Sequence, residues 1–130
     1  MEFLNEKELP YSFHYPDSLK KSWVLNLVNF CPWWMLDRDG MILHLSLLRK
    51  EYPKRKLIPF AMRQDNDDIA CFEVGKGETV LIIHLGASEG WEQQRTYPDF
   101  EEWLKVVIED MRDATVEDCI HFLPEIRKNK

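Results

Sequence analysis

Lys56-Leu-Ile-Pro-Phe-Ala-Met-Arg-Gln-Asp-Asn-Asp-Asp-Ile-Ala-Cys-Phe-Glu-Val-Gly75, followed by Thr79-Val-Leu-Ile-Ile-His-Leu85, is the stretch on which the fold turns. An apolar run stopped by Pro59, an acidic turn over Asp65–Asp68 and a second apolar run ending at Gly75-Lys-Gly77 predict strand, loop, strand, hairpin, strand. The Thr79–Leu85 run is β-branched and apolar at nearly every position, as in a strand buried on both faces in the middle of a sheet.

Helical patterns flank this core. Asp99-Phe-Glu-Glu102 has the N-cap and third-position acid of a capping box. Phe100, Trp103, Leu104, Val107, Ile108 and Met111 then fall on one stripe. Large side chains on such a stripe, each worth roughly 1.5–3 kcal/mol when fully buried, predict a core-packing helix. Asp37 caps another helix, which Pro53 ends. Met41, Leu45, Leu48 and Tyr52 line one face of it, and Ile42, Leu43 and Leu47 give it a second apolar face for a further element. A helix is expected over about 17–25, after a loose lead-in over 1–15 that lays aromatics on the core. Pro32 forbids helix through Cys31-Pro-Trp-Trp-Met-Leu36, and the extended alternative points Trp33 and Trp34 to opposite sides, one core and one rim. Thr115-Val-Glu-Asp118 opens a last capped segment, closed by Pro124 and a basic tail.

At 130 residues, 45% hydrophobic and 12% aromatic, the chain is expected to form a single domain over residues 1–130 with a true core. A net charge of −6 argues against phosphate-backbone binding, and the uneven placement of the acids suits a partner with a basic surface, a solvated face being the commoner explanation. The acids are concentrated: Glu89 to Asp118 holds ten of them against Arg95, Lys105 and Arg112. Cys31, Cys71 and Cys119 are odd in number and lack C-x-x-C spacing, so reduced thiols are expected, with neither a disulfide nor a zinc site. There is no basic start with an apolar run behind it, and no apolar segment of about 18 residues. Together these predict a cytoplasmic protein with no membrane contact.

No reaction centre can be assembled from the sequence. Asp65, Asp67 and Asp68 are spaced to hold a hard cation, but an EF-hand counted from Asp65 needs Gly and Glu where Ala70 and Lys76 stand. Asn and Asp are the usual turn formers, so a structural turn is the preferred explanation, with a protein-binding loop and then a metal site as the alternatives. His14, His44, His84 and His121 show no metal-binding spacing, and Ser46 and Ser88 lack a nucleophile-elbow setting. No catalytic, cofactor-binding or metal residue is therefore assigned. Trp91 lies between Glu89 and Glu92 in a Gly-bearing loop, the composition of a protein-binding hot spot with an acidic rim, unless the indole folds back onto the sheet, which is the commoner arrangement. The candidate partner contacts are Asp65, Asp67, Asp68, Glu89, Trp91 and Glu92.

An ordered series of short motifs runs from Pro32 to Met111: Pro32-Trp33, Glu51-Tyr52-Pro53, Leu57-Ile58-Pro59-Phe60-Ala61, Gln64-Asp65-Asn66-Asp67-Asp68 with Ala70-Cys71-Phe72, and Phe100-Glu101-Glu102-Trp103-Leu104. In this series the chain resembles the SMI1/KNR4 group of the SUKH superfamily. The resemblance implies an α+β domain with an antiparallel or mixed sheet flanked by helices, no cofactor, and binding to another protein. Bacterial members are mostly regarded as immunity proteins, so the expectation is a non-catalytic antitoxin that masks a cognate toxin, a nuclease in many such systems. The alternatives are a regulatory scaffold for an endogenous protein and a small metal-dependent enzyme using Asp65, Asp67 and His84.

Overall fold

Five strands in a row form the centre of the protein, as seen in a computed structural model that describes residues 2–123. They are β1 (Trp33–Met35), β2 (Leu57–Arg63), β3 (Asp68–Glu73), β4 (Val80–His84) and β5 (Gln93–Tyr97), each antiparallel to the next. The helices are α1 (Asp17–Val24), α2 (Arg38–Glu51), α3 (Phe100–Asp113) and α4 (Val116–His121), with a 3-10 turn at Glu6–Glu8. The architecture is the expected α+β one, with a sheet that is antiparallel throughout. Pro124 and the basic tail lie outside the described residues.

Alternation along the strands sorts the core into two layers. On one face Ile58, Phe60, Ala70, Phe72, Val80 and Ile82 meet Phe100, Trp103 and Val107 of α3, together with Leu19 of α1 and the lead-in residues Leu4, Leu9 and Tyr15. On the other, Leu57, Ile69, Cys71, Leu81 and Ile83 are covered by Leu48 and Tyr52. A strand such as β4, with Val80, Leu81, Ile82 and Ile83 all buried, needs cover on both sides, which accounts for its unbroken apolar run. Gly75 and Gly77, both at positive φ, turn the chain between β3 and β4. A Cβ at Gly75 meets nothing within 4 Å. Gly75→Ala should therefore cost only the left-handed backbone penalty, about 1–2 kcal/mol in urea unfolding. Wild-type stability in the variant would mean that the turn relaxes to negative φ.

Several expectations need correction. Pro59 does not stop its strand. It sits inside β2, where the register to β3 shifts between Pro59 and Ala61. Because β1 pairs only with Ala61–Arg63, β2 has no strand beside it on that edge at Pro59, and the missing N–H removes no ladder bond there. Helix α2 does serve both core layers, but along its length: Met41 and Leu45 enter one cluster and Leu48 and Tyr52 the other. Its Ile42 and Leu43 stay exposed. On α3 the far end of the stripe is also open, with Ile108 50% and Met111 43% exposed, since the sheet covers only the Phe100, Trp103 and Val107 ridge. Trp33 is buried and Trp34 half-buried, the expected division.

The thiols also differ from expectation. Cys31 and Cys119 are joined in a disulfide, Cα–Cα 5.3 Å, leaving Cys71 as the free, buried thiol. An odd count and a separation of 88 residues conceal a pair that only the fold brings together. With two of the three cysteines bonded, the thiols do not point to a reducing compartment. Among the described residues no helix is long and apolar enough to cross a membrane.

Candidate protein-binding surface

The meander brings one set of strand ends together. Trp33 pairs with Arg63 and Asp68 with His84, so the entry to β1, the β2–β3 turn and the β4–β5 loop all emerge at the same end of the sheet. This end contains all six predicted contacts, but their chemistry differs.

Asp65 is held by Arg63, whose Nε and Nη2 each donate at 2.8 Å. That bidentate pairing keeps the Asp65 carboxyl below its ordinary pKa and raises the guanidinium. Arg63 reaches on to Asp110 of α3, which also accepts from the Trp33 indole at 3.1 Å. Asp68 is half-buried and lies 2.8 Å from His84 Nδ1. Asp67 is exposed and has no side-chain partner among the described residues, while its carbonyl accepts the Leu85 N–H and ties the two loops.

The β4–β5 loop is braced nearly everywhere except at its aromatic. Tyr52 Oη donates to the carbonyls of His84 and Ala87. The Glu51 carboxylate accepts from the Gly86 N–H at 2.9 Å, and the Trp91 N–H donates to the Ser88 carbonyl. The Trp91 side chain projects from this frame 78% exposed. Glu89 is exposed beside it, 3.9 Å from Lys54 Nζ.

Glu92 does not belong to this rim. It is only 6% exposed and accepts from the Gly90 N–H at 2.7 Å and from Arg55 Nη1 at 2.8 Å. Arg55 also makes a bidentate pair with Glu73, at 3.0 and 2.7 Å. This half-buried triad lies on the sheet face that carries the smaller core layer and fixes the root of the Trp91 loop. Nothing in the sequence around Arg55 singles it out as the centre of this triad. A clue in the sequence was Glu73, which continues the buried Ile69–Cys71 alternation of β3.

A cleft of about 260 Å³ between α3 and β5 is lined by Trp33, Asp68, Arg95, Trp103 and Asp110. Its acids are already engaged by His84, Arg63 and Trp33. Among the described residues no three His, Cys, Asp or Glu side chains converge closely enough to share a metal ion. Asp65, Asp67 and His84 therefore do not form the cation site that a metal enzyme would need. No protein-family model, curated protein or solved structure gives a significant match to this chain.

Proposed function

We propose that this chain is a non-catalytic protein-binding domain of the SMI1/KNR4 kind, an immunity protein that caps a basic surface on a toxin. The observation that carries the reading is Trp91: a large aromatic 78% exposed on a loop whose backbone is held from several sides. Exposing an indole is unfavourable in the free protein, and a braced loop loses little entropy when a partner covers it. Asp67 and Glu89 add carboxylates at the same end. With a net charge of −6 they favour fast, salt-sensitive association with a cationic cleft.

The test begins with co-purification from the native host and protection of cells from the captured protein. Trp91→Ala should then weaken the complex at least about 30-fold, the effect of losing a hot-spot aromatic. Asp67→Lys should slow association and flatten its salt dependence. Both variants should keep wild-type thermal unfolding, because neither side chain is buried or bonded to the body. Unaltered affinity in both would place the interface elsewhere. A housekeeping partner with no toxicity to suppress would favour the scaffold alternative over the antitoxin.

A further inference from the structure

Among the described residues, α4 is attached to the rest of the molecule by very little. None of the residues of α4 is buried, and its Val116 and Ile120 face outward. Its side-chain hydrogen bonds stay local: the Thr115 hydroxyl accepts from the Asp118 N–H, and the Asp118 carboxylate accepts from the Thr115 N–H. Among the described residues no hydrogen bond or ion pair runs from 115–122 to the sheet or to the other helices. Across a crevice from Asp118 and Phe122 stand Pro32, Arg63, Asp65 and Asp110. Among the described residues the one covalent tie between α4 and the rest of the molecule, apart from the main chain, is the Cys31–Cys119 bond. A six-residue helix is far below the length at which helices persist alone in water.

We infer that Cys31–Cys119 is a redox latch, and that its reduction by a dithiol releases α4 from the end of the sheet. One thiolate of the dithiol attacks Cys119 Sγ, and the S–S electron pair leaves on Cys31 Sγ. The second thiolate then attacks the mixed disulfide, closing the reductant's own disulfide and freeing Cys119. The protein gains two electrons and two protons, and the dithiol loses them. Both bonded cysteines are half-buried, and neither is sealed in the core. Cys71 is sealed in the core, where burial pushes its thiol pKa far up, so it does not compete for either sulfur. The hinge is Ala114, extended between α3 and the α4 cap. Release takes Asp118 and Phe122 away from the crevice they share with Pro32, Arg63 and Asp110. On the partner-binding reading above, and only there, this changes the surface that a partner meets next to Asp65.

Hydrogen exchange of the full chain tests the latch without any partner, so its failure is distinct from failure of the binding reading. Adding dithiothreitol to the oxidised protein should speed exchange over 116–123 about tenfold or more, with β2–β4 and α3 unchanged. Cys119→Ser should show the fast pattern without reductant and no further response to it. Three titratable thiols in the unfolded, air-oxidised protein would overturn the proposal. So would equal α4 exchange in both redox states, or loosening throughout the sheet on reduction, which would make the bond a staple of the whole domain.

Discussion

Arg55→Ala is expected to lower the unfolding free energy at neutral pH by about 2–4 kcal/mol, somewhat less than for a fully buried ion pair that loses one partner, because Arg55 retains some solvent contact. The substitution leaves Glu73 and Glu92 as poorly hydrated carboxylates on the face of a sheet. In the native protein the Arg55 bonds, then Lys76, hold Glu73 below its ordinary pKa despite burial. For Glu92 burial pushes upward most strongly, but the Gly90 N–H and Arg55 together outweigh it and the net direction is down. Groups depressed in the folded state stabilise it above their unfolded pKa of about 4.3, and that contribution disappears as pH falls through the lower folded values. Without Arg55 the burial penalty on ionised Glu92 is opposed mainly by one N–H. Acid should therefore cost the variant less than it costs wild type. The stability gap, measured by urea unfolding, should be largest near pH 7 and shrink toward about pH 4. A gap constant across that range would show that Arg55 acts through packing of its stem and not through charge.

Trp103→Ala should be at least as damaging, by about 3–5 kcal/mol. The indole is 1% exposed, with ring centres of Phe60 at 5.0 Å, Trp33 at 5.4 Å and Phe100 at 5.5 Å, so it joins α3 to the sheet at the centre of the larger core layer. Neighbours fixed in β1, β2 and α3 collapse only partly into the space left behind. Trp91→Ala provides the contrast, since an exposed indole removed from the same protein should change stability by less than about 0.5 kcal/mol. Similar losses in the two variants would contradict the assignment of one tryptophan to the core and the other to the surface.

How far the sequence could be read follows from where each determinant lies. Helix α3 was legible because its signal is local: Asp99 accepts the Glu102 N–H at 2.9 Å, and the apolar stripe starts one residue later. Strand β4 was legible because double burial leaves an unbroken apolar run. The β2–β3 turn was announced by its Asx chemistry, with Asn66 Oδ1 accepting the Asp68 N–H. Glu92 was misread because Glu-Gly-Trp-Glu looks like a solvated rim, and the residue that decides otherwise, Arg55, is 37 positions away. The cysteine pair was missed for the same reason. Pro59 misled because a proline ends a strand only where both edges are in use, and edge occupancy is a property of the sheet.

The order in which the strands lie has a kinetic counterpart. Each strand beside another is also its successor along the chain, so β2, β3, β4 and β5 need only the short connections 64–67, 74–79 and 85–92 to find one another. The entropy lost in such closures rises slowly with length and is small here. The distant encounters are those that bring Trp33 to Asp110, 77 positions on, and Cys31 to Cys119. The chain can therefore complete most of its sheet by neighbour-to-neighbour contacts, and the costly search is confined to joining its two ends around that sheet.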